Sequence, residues 1–265
     1  MTRKGSNREF PSEVTVKPVD YGNVPELTEA LKGQDALVNA TYIAEIVPQI
    51  NLVDAAVAAG VYRYLPSEYG LDTNKPEIGE LPIFEAATAG LKHMHEKCAA
   101  PGVITTYTEV HNGGFLDWCF ETGFLGILPR ERDVTFYDDG SSEIAYTTLE
   151  WVGKAVVGVL THPDETSNRG VFVANTYASQ KQLFALAKEA VGAEGWSIQQ
   201  KSTDEMLANS MAKLETGDID LESLLDFIRV ADAKYETRWE KDDNELLGIP
   251  RFSDAEIKEV IKKYA

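Results

Sequence analysis

A chain of 265 residues can bury one substantial core, or one core with a smaller lobe, and 43% hydrophobic with 26% charged residues is the make-up of a folded, water-soluble protein. Its 43 acidic against 25 basic side chains leave a formal charge of −18, which opposes binding to nucleic-acid phosphates and anionic lipid. No apolar run reaches the roughly 18 residues of a membrane span, the polar start lacks a secretion signal's apolar block, and Cys98 and Cys119 have neither metal-ligand nor disulfide-framework spacing, so a reduced, cytoplasmic protein is expected.

In chain order, Val14 and Val16 alternate with Thr15 and Lys17, which predicts a short strand lying at a sheet edge or ending at Pro18. Val24, Leu27, Ala30 and Leu31 recur at helical spacing, with Pro25 in the first turn and Gly33 beyond the last. Ala36 to Ala40 reads as a strand, and Ile46, Val47, Ile50, Val53 and Val57 as a helix closed by Gly60. The stretch V-Y-R-Y-L-P-S-E-Y-G, Val61 to Gly70, then supplies a strand over Tyr62 to Leu65, stopped by Pro66, with Ser67, Glu68 and Tyr69 in a loop at its carboxyl end. Alternation of strand and helix predicts right-handed βαβ units and a parallel sheet, where such loops line ligand crevices.

A helix from about Phe84 to Ala99 and a strand over Val103 to Val110 follow. Phe115, Leu116, Cys119 and Phe120 then mark another helix. Val134 to Tyr137 and Ile144 to Thr147 flank Asp138-Asp139-Gly140, a hairpin-like turn signal. A helix on Trp151 to Val159 and a strand over Gly170 to Ala174 lead into a mostly helical remainder, with Ser179 as a cap, and Ser202 with Glu205 and Ser253 with Glu256 at capping-box spacing. Ile257, Val260, Ile261 and Tyr264 make the last helix one-sided, so it should dock on the body.

L-P-S-E-Y-G-L-D at 65 to 72, G-G-F-L-D-W-C at 113 to 119, Y-D-D-G at 137 to 140 and V-G-K-A-V-V-G-V-L at 152 to 160 together resemble the NmrA-like and isoflavone-reductase-like proteins, atypical short-chain dehydrogenases/reductases, with the fungal branch nearest. The resemblance implies an α/β fold: a Rossmann-like parallel sheet in residues 1–174 and a smaller, mostly helical substrate lobe in residues 175–265. It also implies NADP(H) as cofactor and a small-molecule substrate. Arg3 and Lys4 match the basic residues that meet the 2′-phosphate of NADP, a role suited to guanidinium geometry. Thr41, Ser67 and Tyr69 match loops beside the nicotinamide, and Asn112, Gly113 and Phe115 match the stretch where cofactor and substrate pockets meet. His111, beside that turn, is a further pocket candidate.

Two departures bear on activity. The family's first strand and G-x-x-G-x-x-G turn, which hold the pyrophosphate, are not in the sequence. An amino-terminally shortened sheet is therefore expected, with Val14 to Val16 either pairing directly with Ala36 to Ala40 or loosely held, and an exposed apolar strip beside them. Ala87 stands where the family carries its catalytic lysine, and Lys92, further along that helix, should point elsewhere. No catalytic residue is assigned on that pattern.

Other patterns carry less. Tyr177-x-x-x-Lys181 is a spacing that chance readily supplies among 11 tyrosines. His93, His95, His111 and His162 form no metal-ligand pattern. Glu68 serves equally as a salt-bridging carboxylate or a substrate contact, and Glu240 to Glu245 reads as a solvated loop. The sequence leaves two readings: an NADPH-dependent reductase, or an NADP-sensing protein or inactive fragment.

Overall fold

The computed structural model of the protein describes residues 1–42, 45–235 and 238–265. The chain divides into two compact units, each built from separated stretches. Residues 1–68, 84–109 and 162–170 form the first, and residues 69–83, 110–161 and 171–265 the second. The border expected after residue 174 lies inside the second unit.

In the first unit, three helices are cut where local chemistry demands. Asn23 accepts a hydrogen bond from the Glu26 amide at the start of Val24–Leu31. Gly60, in the left-handed conformation, closes Ile46–Ala59, and Glu85–Cys98 follows later in the chain. A β-carbon on Gly90 would lie 2.8 Å from the β-carbon of Gln49, so glycine is what lets the second and third of these helices approach. Leu27, Leu37, Leu52, Tyr64, Leu91 and Met94 belong to the core between helices and sheet.

The expected βαβ pattern is realised. Ala36–Val38, Arg63–Leu65 and Thr106–His111 pair in parallel, within a sheet ordered Arg169–Phe172, Thr106–His111, Arg63–Leu65, Ala36–Val38. This is the Rossmann-like parallel arrangement with helices between successive strands.

The amino-terminal strand is not where alternation placed it. Val14 and Val16 are 47% and 42% exposed and form no strand. Instead Pro18–Val19 pairs in parallel with Thr2–Arg3, making a separate two-stranded ribbon. The bonds that join them run from the Thr2 amide to the Lys17 carbonyl and from the Lys4 amide to the Val19 carbonyl. Pro18 is asked for no N–H, which is why it is tolerated as a strand's first residue. Of the two outcomes foreseen for Val14 to Val16, pairing with Ala36–Val38 does not occur, and Ala36–Val38 is a free sheet edge among the described residues. Val38 on that edge is exposed, as are Tyr42, Ile46 and Val47 in the segment that follows it in the chain.

In the second unit, Asp133–Tyr137 and Ile144–Thr147 do not form the hairpin that their turn signal suggested. The turn exists, since the Gly140 amide bonds to the Tyr137 carbonyl at 3.0 Å. Its two strands nevertheless enter different sheets. Asp133–Tyr137 lies between Ser197–Lys201 and Ile127–Leu128, whereas Ile144–Thr147 lies between Thr176–Ala178 and Gly114–Phe115. Tertiary partners have overridden a local preference. Ser179 and Ser253 close capping boxes with Gln182 and Glu256, and Ile257, Val260 and Ile261 of the final helix are buried in this unit's core with Leu116, Phe120 and Leu183.

Candidate functional site

In the first unit, the candidate residues gather at the carboxyl ends of parallel strands, where an α/β sheet presents its crevice. The Ser67 hydroxyl donates to the Thr41 carbonyl at 2.8 Å, which ties the loop after Arg63–Leu65 to the loop after Ala36–Val38. Asn39 organises the latter. Its side-chain oxygen accepts from the Thr41 amide at 3.0 Å, and its side-chain nitrogen donates to Gln49 at 2.9 Å and to the Tyr64 hydroxyl at 3.2 Å. Gln49 in turn donates to the Thr41 hydroxyl at 3.3 Å. Sequence reading found Thr41 and Ser67 but missed Asn39 and Gln49. The signal was available, since each is a polar residue on an otherwise apolar strand or helix face.

Arg3 and Lys4, at the end of the ribbon strand Thr2–Arg3, line a recess with Val19, Asp20 and Tyr21. Arg3 donates to both Glu45 oxygens at 2.5 Å, and Lys4 to Glu26 at 2.8 Å. Both pairs are exposed, so exchanging a carboxylate for a ligand phosphate costs little. A phosphate therefore fits the residues present here, while the glycine-rich turn that would grip a pyrophosphate is not in the sequence.

In the second unit, Tyr69, His111, Asn112 and Gly113 come together. The Asn112 and Gly113 amides both donate to the Gly70 carbonyl, at 3.1 and 3.0 Å, fastening the loop that holds Tyr69 to the end of Thr106–His111. The Tyr69 hydroxyl and the Asn112 side-chain oxygen are buried without a hydrogen-bond partner among the described residues, a costly condition unless water or a ligand completes them. Burial pushes the Tyr69 phenol well above its ordinary value, so it keeps its proton. His111 is fully buried; its Nδ1 lies 3.2 Å from the Leu71 carbonyl, and its ring stacks on Phe172 at 4.8 Å. Gly113 has φ of +64° and lies against the Ala145 carbonyl. Phe115 pairs with Thr147 and opens the helix Leu116–Thr122.

Ala87 is buried and Lys92 exposed on the same helix, so the lysine does point away from the position the alanine fills. Lys181 bonds to Asp139 at 3.3 Å, whereas Tyr177 is flanked by Arg238 and Arg251, so Tyr177-x-x-x-Lys181 forms no dyad. His93 faces Asp54 at 2.8 Å and His95 faces Glu109 at 2.7 Å, and no group able to hold a metal occurs among the described residues.

The second unit also holds a recess that sequence reading overlooked. It is lined by Phe124, Tyr137, Ile144, Tyr146, Arg229 and Asp232, among others. The signal was F-I-R-V-A-D-A, in which Arg229 and Asp232 interrupt an apolar helical stretch. One Asp232 carboxyl oxygen is buried with no partner among the described residues. Burial pushes the group up to about 8. Its sign follows from linkage. Above pH ~4 the unfolded chain loses this proton while the folded chain keeps it, so folding is progressively penalised up to pH ~8 and no further. Asp232→Asn is therefore expected to equal the parent near pH 4 and to gain roughly 2–5 kcal/mol over it by pH 8. Urea denaturation of both proteins across that range checks this; a difference independent of pH would contradict it.

Residues 10–210 match the NmrA-like family. Oxidoreductase aprR from Aspergillus flavus is 30% identical over 270 residues, covering 99% of this chain and 89% of that one. Among solved structures, one titled AtPrR2 with NADP+ and (+)pinoresinol superposes with a TM-score of 0.75 at 20% identity, covering 94% of this chain and 81% of that one. An NADPH-dependent quinone oxidoreductase from Escherichia coli, complexed with NADPH, superposes with a TM-score of 0.70 at 20% identity, covering 93% and 83%.

Proposed function

This chain belongs to the NmrA-like family, and from that premise we propose that it binds NADP(H) and reduces a small carbonyl- or enol-bearing metabolite. The observation that carries the reading is the basic pair Arg3 and Lys4 at the end of a parallel strand, lining a recess and paired with the partly exposed carboxylates Glu45 and Glu26. The two structural likenesses described above, one with NADP+ and one with NADPH, support the choice of cofactor.

Arg3 and Lys4 would hold the 2′-phosphate, with the Arg3 fork offering paired donors. Thr41 and Ser67, locked by Asn39 and Gln49, would border the nicotinamide. When bound, the cofactor would supply a hydride. Within the second unit by itself, the Tyr69 hydroxyl, a protonated donor with no acceptor found among the described residues, lies with Asn112 and Gly113 where it would donate to a ligand oxygen. Ala87 contributes no proton, which favours a second reading: a protein that binds NADP(H) as a sensor and does not turn over.

Fluorescence titration with NADPH and NADH tests both. Arg3→Ser with Lys4→Ser is expected to weaken NADPH binding about tenfold or more and to leave NADH affinity unchanged, because charge-assisted phosphate bonds are worth roughly 1.5–3 kcal/mol. Turnover across a panel of carbonyl and enol compounds supports the reductase; binding with no turnover supports the sensor. Absence of dinucleotide binding would end both readings.

A further inference from the structure

The basic recess of the first unit has room for a ligand, yet its cations are already answered by acids. It is open, holds about 410 Å³, and is lined by Arg3, Lys4, Val19, Asp20 and Tyr21. Its two cations meet three carboxylates: Asp20 within the lining, Glu45 against Arg3 and Glu26 against Lys4. Asp20 is engaged locally, its side chain accepting from the Gly22 amide at 2.8 Å. Glu45 and Glu26 stand outside the lining and reach the cations from helix starts, at the cap position before Ile46–Ala59 and in the first turn of Val24–Leu31.

The way Glu45 holds Arg3 decides what it blocks. Both of its oxygens accept from the same terminal nitrogen, Nη2, at 2.5 Å each. That nitrogen belongs to both two-donor edges of a guanidinium, the one shared with Nε and the one shared with Nη1, so a carboxylate there denies a phosphate either paired approach. The carboxylate is not spent on its own helix, because Glu45 makes no side-chain capping bond. Lys4 differs, since its ammonium is a compact charge with three donors, of which Glu26 takes one at 2.8 Å. A phosphate can therefore join Lys4 beside Glu26, but it reaches the Arg3 fork only by displacing Glu45.

We infer that Glu45 sets the preference between ligands with and without a 2′-phosphate, as a carboxylate built into the chain that competes with that phosphate for Arg3. The inference rests on the placement of the 2′-phosphate proposed above. A ligand with a hydroxyl in that place leaves the Arg3–Glu45 pair intact, whereas one with the phosphate must displace the carboxylate. The two side chains are 59% and 40% exposed, so solvent screens the pair and the effect on affinity is modest.

The test uses 2′-AMP and adenosine, which differ only in the phosphate and carry neither pyrophosphate nor nicotinamide, alongside NADPH and NADH. Ligand-observed nuclear magnetic resonance follows the first two and fluorescence the others, all with the full chain. Glu45→Gln, which keeps the size and loses the charge, is expected to bind 2′-AMP and NADPH about threefold more tightly than the parent, with adenosine and NADH unchanged. Glu29→Gln is the control: it removes the same charge from an exposed pair with Lys32 in the same unit and should move none of the four affinities. If the parent binds NADPH and Glu45→Gln changes neither phosphate ligand, tightens adenosine and NADH equally, or is matched by Glu29→Gln, the role of Glu45 is overturned while cofactor binding stands. Failure of 2′-AMP to bind the parent and Glu45→Gln alike also overturns it. Tighter 2′-AMP in Glu45→Gln, with no NADPH bound by either protein, would uphold the competition at Arg3 and end the NADP(H) reading.

Discussion

Gly113→Ala is expected to cost at least ~4 kcal/mol of stability, enough to unfold the second unit in mild denaturant. Two penalties combine. At φ of +64° any other residue pays about 1 kcal/mol for the left-handed conformation. The added methyl would also lie 2.0 Å from the Ala145 carbonyl oxygen, a backbone atom that cannot rotate aside. Ala145 is fixed in Ile144–Thr147, paired with Tyr177 on one side of that strand, and Gly113 is fixed by its bond to the Gly70 carbonyl. Relief must therefore pull apart the junction that also carries Tyr69 and Asn112. Gly33→Ala is the control, since Gly33 has φ of +72° with nothing within 4 Å of where its methyl would sit, and about 1 kcal/mol is expected there. Urea midpoints followed by circular dichroism compare the two; equal losses would show that the close approach to Ala145 has no energetic weight.

The second large effect concerns Arg63, which is only 2% exposed. Its guanidinium donates to the Thr106 hydroxyl at 2.9 Å, to the Thr108 and Thr166 hydroxyls at 2.8 Å each, and to the Pro163 carbonyl. These bonds clamp the strand Arg63–Leu65 to its neighbour and to the 162–170 stretch of the first unit. None of the four acceptors is a carboxylate, and burial draws the guanidinium below its ordinary value. Arg63→Ala should cost roughly 3–5 kcal/mol through lost bonds and an unfilled space. Arg63→Met should recover about 1–2 kcal/mol of that. Its chain refills the volume, and the hydroxyls of Thr106, Thr108 and Thr166 still donate to the Tyr62, Thr166 and His162 carbonyls. If Arg63→Ala unfolded within ~0.5 kcal/mol of the parent in the same urea experiment, the clamp would carry no stability.

These two residues also mark how far the sequence could be read. From Val24–Leu31 to Thr106–His111 the alternation of strands and helices was legible because hydrophobic period, Pro25, Gly60 and Pro66 are local signals that act within a few residues. Gly113 was placed at a pocket by its motif, but the carbonyl that forbids a methyl there lies on a strand more than thirty positions away. Arg63 was taken as an ordinary strand residue. Its burial depends on three threonines and a loop that only the folded chain collects. The turn after Tyr137 was read correctly and its strands wrongly paired, since a turn signal says nothing about competing strands such as Ser197–Lys201. Of the candidate site, Thr41 with Ser67 and Tyr69 with Asn112 were singled out in the sequence. Asn39, Gln49 and Asp232 stand out there only as polar residues in apolar stretches, and an unpaired or bridging polar atom gains its meaning only once its surroundings exclude water.

The free edge at Ala36–Val38 sets how the molecule meets its own kind. Asp35 and Asn39 direct their backbone groups toward Arg63–Leu65, so strand alternation turns the amides and carbonyls of Ala36 and Val38 outward. Such an edge is a ready template for a further strand, and the exposed Val38 lies on it. Mutual repulsion between molecules carrying −18 each opposes such pairing. Because that repulsion fades once ions shorten its reach to about 8 Å near physiological strength, added salt is the condition expected to favour pairing at this edge.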